Sequence, residues 1–121
     1  MQNNEPLISI IIPVFNAQKY IEETILSVIG QTYSNWELIV VDDCSTDHSV
    51  NIIQDIILLD IRIRLIKSEV GSGGPARPRN IGIESSTGKY IAFLDNDDAW
   101  LPDKLEKILL KIKVAMYLPS Y

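Results

Sequence analysis

Apolar residues fall into short continuous blocks, each followed by a stretch in which they recur every three or four positions. Residues 7–14 (Leu-Ile-Ser-Ile-Ile-Ile-Pro-Val) are rich in β-branched side chains and predict a strand buried on both faces. Asn16 is placed to cap the next helix, where Ile21, Ile25, Val28 and Ile29 keep helical spacing and Gly30 suits the C-cap. Residues 36–41 predict a second buried strand. Ser45, Thr46 or Asp47 can cap a second helix whose inner face carries Val50, Ile53, Ile56 and Ile57. Residues 62–67 alternate in part and predict a third strand, and 68–75 form a glycine-rich loop. Residues 76–86 predict a short helix that tolerates Pro78 only in its first turn. After the Thr87-Gly88 turn, 90–94 predict a fourth strand. Leu101-Pro102-Asp103 then opens a last helix with Leu105, Ile108, Leu109 and Ile112 on one face.

Strand followed by helix, four times over, predicts an α/β domain: a mainly parallel sheet of about four strands, flanked by helices and joined by right-handed crossovers. Ligands of such sheets bind at the carboxyl ends of the strands. Three polar segments should therefore share one rim: Pro13-Val14-Phe15-Asn16, Asp42-Asp43-Cys44-Ser45 and Asp95-Asn96-Asp97-Asp98. The length of 121 residues suits one domain, residues 1–121, rather than two. A net charge of −5 argues against a nucleic-acid partner. One cysteine, Cys44, allows no internal disulfide, in keeping with a reducing compartment. No apolar run approaches membrane-spanning length and the first residues carry no signal-like core, so the expected location is cytoplasmic.

The chemistry concentrates after the fourth strand. Asp95, Asp97 and Asp98 repel one another unless something positive lies among them. A hard divalent cation, Mn²⁺ or Mg²⁺, takes one or two such carboxylates and commonly holds substrate phosphates as well. Asp97 is the first choice of ligand, and Asp95 is placed to accept a sugar hydroxyl. The bland alternative, a solvated turn with Asp98 or Asp103 at the helix start, accounts for one of the acids more readily than for all. Asp42 and Asp43 suit either an Asx turn or recognition of a base or ribose. Arg77, Arg79 and Asn80 open either a solvated helix or a diphosphate site, since arginine pairs bidentately with phosphate. The loop Gly71-Ser72-Gly73-Gly74 lacks the P-loop pattern. His48 reads as a surface residue. Tyr20, Tyr33, Trp36 and Trp100 read as packing, and nothing marks Cys44 as a nucleophile.

With these residues in view, the sequence resembles the inverting glycosyltransferases of family 2, with the GT-A fold. The resemblance rests on Ser9 to Asn16, on Gln31-Thr32-Tyr33 with Trp36 to Asp47, on Gly74 to Gly82, and on Gly88 through Pro102, four motifs in the family's order. It implies a Rossmann-like nucleotide-binding half. Pro13 and Phe15 would line the base pocket, and Asp43 with Asp42 would contact base or ribose. Arg79 would lie near the phosphates. Asp95 and Asp97 would form the DXD pair, with Asp97 on Mn²⁺ or Mg²⁺. The implied partners are a UDP-sugar donor and a glycan or lipid-linked acceptor, as in polysaccharide biosynthesis, with a peripheral position at the inner face of the membrane in a longer form. Family members are usually longer, and their second half supplies the acceptor site and the catalytic base, for which no residue stands out here. The chain is thus expected to be a donor-binding half that transfers no sugar alone. Its open β edge and the apolar residues Ile108, Leu109, Ile112, Val114, Met116 and Leu118 are expected to support a homodimer. A phosphoacceptor signalling domain is the alternative, but it needs an acidic pair after the first strand, where Pro13-Val14-Phe15-Asn16 stands. A non-catalytic remnant is the third reading.

Overall fold

The computed structural model describes residues 5–117. Four strands alternate with four helices: β1 (Ile8–Val14), α1 (Ile21–Ile29), β2 (Trp36–Asp42), α2 (Ser49–Ile57), β3 (Ile63–Lys67), α3 (Ala76–Ser85), β4 (Tyr90–Phe93) and α4 (Lys104–Tyr117). The strands lie in the order β3-β2-β1-β4, and every pairing is parallel. The chain steps outward from β1 through β2 to β3, then returns across the sheet to β4. Right-handed crossovers moving in opposite directions must lie on opposite faces. The packing agrees. Side chains of α1, α2 and α4 join Ile8, Ile10, Ile12, Leu38 and Val40 in one core, while Ile81 of α3 covers Ile11, Ile39 and Val41 on the other side. Successive strand residues serve opposite faces, so β1 and β2 are buried throughout, which is why their sequences are apolar without alternation.

Several local expectations need correction. Asn16 does not cap α1, which starts at Ile21 behind Tyr20 without a side-chain cap. Asn16 instead adopts a left-handed backbone (φ 47°), and its Oδ1 accepts the Thr46 N–H at 2.8 Å. This ties the loop after β1 to the loop after β2. Asp47 does support the start of α2, accepting the Ser49 N–H and hydroxyl at 2.9 and 2.6 Å. Tyr20 is 42% exposed rather than packed, whereas Trp36 and Tyr33 are buried and Trp100 leans on the core. On α4, Leu109 is buried and Ile108 and Ile112 pack against the core, so they are not available as a docking face. Val114 and Met116 are exposed, and Leu118 lies outside the described residues. Among the described residues no helix is long and apolar enough to cross a membrane.

A polar clasp closes the amino end of the sheet. Glu37 on β2 accepts the Ser9 hydroxyl at 2.5 Å, the Thr87 N–H at 2.7 Å and Arg64 Nη1 at 2.7 Å. Ser9 Oγ in turn accepts the Gly88 N–H at 2.8 Å. A Cβ on Gly88 would lie 2.6 to 2.8 Å from Ser9 and the Leu7 carbonyl, so only glycine fits this turn into β4. The clasp joins β1, β2, β3 and the approach to β4 at the end opposite the polar rim.

Candidate functional site

At the carboxyl ends of the strands a cavity of about 690 Å³ opens between the ends of β1, β2 and β4. Pro13, Val14 and Phe15 line it from β1, and Asp43 and Cys44 from β2. Gly71, Gly73, Gly74 and Pro75 border it as a loop, with Pro78 and Arg79 from α3 and Asp95, Asn96 and Asp97 from beyond β4. It sits at the crevice between β1 and β4, where the strand order reverses and where doubly wound sheets bind ligands. Pro13, Phe15, Asp43, Arg79, Asp95 and Asp97 are thus gathered around one space, although 84 residues separate the ends of that set in sequence.

Asp42 stays out of the cavity. It is buried, and its Oδ2 accepts the Ser45 N–H at 3.1 Å, the Asx-type turn that was its bland alternative. Asp98 also serves a turn, accepting the Ala99 N–H at 2.9 Å. Arg77 does not line the cavity, and His48 is at the surface. Asp103 pairs with Lys107 at 3.2 Å just before α4.

Three of the charged side chains around the cavity already have partners. Asp43 is buried, and its carboxylate accepts the Ser72 N–H at 3.1 Å and hydroxyl at 2.9 Å. The glycine loop is thereby pinned to the end of β2, with Gly73 in the left-handed region (φ 77°). Arg79 Nη2 donates to Asp95 at 3.2 Å, and its guanidinium stands 5.6 Å from the Phe93 ring centre. The buried Nε of Arg79 has no hydrogen-bond partner among the described residues, a donor left for an anion to take. Asp97 borders the cavity and is exposed. Among the described residues no three His, Cys, Asp or Glu side chains converge as a cage for a metal. Asp95 and Asp97 at the border of this cavity fit a different kind of site, in which a hard cation keeps one or two protein oxygens and fills its other positions with phosphate and water.

Sequence reasoning passed over Ser72, the one hydroxyl among three glycines. It also gave no contact role to a polar row that runs along α1 and just past its end. Thr24 Oγ1 donates to the Asn96 carbonyl at 3.1 Å, and Ser27 Oγ accepts the Trp100 N–H at 3.1 Å. Gln31 Nε2 donates to the Leu101 carbonyl at 2.7 Å, while its Oε1 accepts the Leu105 N–H at 3.0 Å. Part of the signal was present in the chain: Thr24 and Ser27 stand three apart beside the buried apolar face of one helix.

Fold and rim together define a Rossmann-like domain of the GT-A type. Residues 9–117 match the model of glycosyl transferase family 2, and the chain belongs to that family. TuaG of Bacillus subtilis, named as a putative teichuronic acid biosynthesis glycosyltransferase, is 49% identical over 109 residues, covering 90% of this chain and 43% of that protein. WfgD of Escherichia coli, a UDP-Glc:alpha-D-GlcNAc-diphosphoundecaprenol beta-1,3-glucosyltransferase, is 40% identical over 118 residues, covering 95% of this chain and 46% of that protein. The chain therefore spans about half the length of these relatives. The crystal structure of S. aureus TarS 1-349 in complex with UDP-GlcNAc superposes with a TM-score of 0.82 at 32% identity, over 88% of this chain and 31% of that one. The mannosyltransferase PcManGT of Pyrobaculum calidifontis, in complex with GDP-Man and Mn²⁺, gives a TM-score of 0.73 at 25% identity, over 78% of this chain and 28% of that one.

Proposed function

We propose that this chain binds the donor of an inverting glycosyl transfer: a nucleoside diphosphate sugar, with UDP as the nucleotide, held with Mn²⁺ or Mg²⁺. The observation that carries the reading is the gathering of Asp43, Arg79, Asp95 and Asp97 around one cavity at the β1–β4 crevice. Pro13 and Phe15 offer apolar surface to the base. Asp43 accepts N–H or O–H groups of base or ribose once Ser72 leaves it, with Asp42 behind it shaping the turn. Arg79 has a spare buried Nε and an exchangeable bond to Asp95. A diphosphate that takes the guanidinium releases Asp95 to join Asp97 as the DXD pair. A divalent cation there supplies charge neutralisation for the departing nucleoside diphosphate. The UDP-GlcNAc bound to TarS and the UDP-Glc in the name of WfgD support a UDP-sugar donor, the diphosphoundecaprenol in the name of WfgD supports a lipid-linked acceptor, and the teichuronic acid biosynthesis named for TuaG supports a part in polysaccharide synthesis.

Calorimetric titration with UDP, with Mn²⁺ and again in EDTA, tests this. Binding is expected in Mn²⁺ and weaker in EDTA. No binding in either medium would overturn the reading, and equal binding in both would remove the metal from it.

A further inference from the structure

The segment between β4 and α4 carries both cavity acids, yet it has no secondary structure of its own. It turns at Asp95, where the Asp98 N–H donates to the Asp95 carbonyl at 3.1 Å, and then runs irregularly to Lys104. Its shape comes from α1. Thr24 and Ser27 lie on one side of that helix and Gln31 follows just past its end, and each bonds the segment at a successive point: Asn96, Trp100, then Leu101 and Leu105. Thr32 continues the series, its N–H donating to the Pro102 carbonyl at 2.8 Å. The row is also tied to itself, since Ser27 Oγ donates to the Thr24 carbonyl at 2.6 Å and Gln31 Nε2 to the Ser27 carbonyl at 3.1 Å. Thr24 and Gln31 are only 1% and 8% exposed, so water cannot readily take over their bonds.

Thr24 holds the carbonyl of Asn96, the residue between Asp95 and Asp97. Anchoring that peptide fixes the spacing of the two acids on either side of it. Arg79 holds Asp95 at 3.2 Å, and once a diphosphate draws that guanidinium away the two like charges have every reason to spread apart until a cation lies between them. A segment free to let them do so would have to be drawn together again at each binding event.

Resting on the donor-binding reading above, we propose that Thr24, Ser27 and Gln31 are positioning residues: a polar splint along α1 and its C-terminal exit that holds Asp95 and Asp97 ready for the cation and diphosphate of the donor. They touch neither ligand and act through the backbone of residues 96–105.

The test compares UDP affinity in Mn²⁺ with that in EDTA for the wild-type chain and its variants, using the ratio of the two as the readout. Thr24→Val keeps the shape and loses the bond to Asn96. It should lower the Mn²⁺-dependent gain by about fivefold, the worth of one buried hydrogen bond, with affinity in EDTA unchanged. Thr24→Ser should restore the gain. Ser27→Ala, which removes the acceptor of the Trp100 N–H, should reduce the gain as well. It should also speed amide hydrogen exchange at Trp100 while leaving Leu38 and Val40 in β2 as they were. Should Thr24→Val not fold, Ser27→Ala carries the test alone. A gain that survives in the folded variants overturns the splint, as does equal weakening in Mn²⁺ and EDTA. A wild-type chain that binds no UDP overturns the donor reading itself, and the splint with it.

Discussion

Glu37 is a carboxylate placed where burial opposes its charge, and it stays charged because of what surrounds it. Desolvation pushes its pKa upward. Hydrogen bonds from Ser9, the Thr87 amide, Arg64 and the Thr87 hydroxyl outweigh that and bring it down to about 2. The unfolded chain therefore takes up a proton before the folded one does. The stabilisation is complete above about 4.5 and is lost as the pH falls toward about 2. It should amount to roughly 1–3 kcal/mol. Urea unfolding across that window should show stability falling with acid in the wild-type chain, and a flatter profile for Glu37→Gln. A parallel pair of profiles would mean that Glu37 contributes none of the acid sensitivity. Ser72 shows the same logic at the rim. A base or ribose donor reaching Asp43 exchanges with Ser72 rather than adding to it, so that contact should release little heat. The gain would come instead from the freedom returned to a glycine-rich loop.

At the level of elements, the sequence already carried every strand and helix to within a few residues. The reason is that strands buried on both faces and helices buried on one leave different periods in the chain. The rim was legible for a related reason: acids at strand ends fall together once the strands are parallel. What escaped was everything decided by contact between distant loops. Asn16 has the composition of a helix cap, but its side chain answers Thr46 across the rim. Thr24 and Ser27 look like ordinary helix residues, and Gln31 like part of the connection after Gly30, until the segment they hold is placed beside them. The division of labour among the acids follows from the same placement. Asp97→Asn should weaken Mn²⁺-dependent UDP binding about tenfold or more, as removal of a charged ligand does. Asp103→Asn, which alters only an exposed pair with Lys107 at the start of α4, should leave binding unchanged and barely move the unfolding midpoint. Titration of both variants under one set of conditions checks the contrast. Equal losses would place the metal site elsewhere.

Across the whole molecule, the cavity side of the sheet is assembled, and no described residue is assigned to deprotonate an acceptor. Purified chain mixed with a UDP-sugar and an acceptor glycan should therefore give no transfer product, with slow donor hydrolysis as the most it achieves. Detectable transfer would contradict this. β4 is an edge strand, with Ile91, Phe93, Leu110, Val114 and Met116 exposed nearby or on α4. Unpaired edges and apolar surface favour association. Sedimentation at rising concentration should show self-association, and a monomer throughout would count against it. The pairing of β1 with β4 has a further consequence, for time rather than energy. Ile8 meets Tyr90 across most of the chain, whereas β1 and β2 are joined by one helix. Contacts that close long loops form late. The acids follow β4 directly, so the cavity is completed only when the most distant pairing is made. A chain emerging from the ribosome keeps β1 uncovered on that side until residues 90–93 have been synthesised, and the rim around the cavity closes only after that.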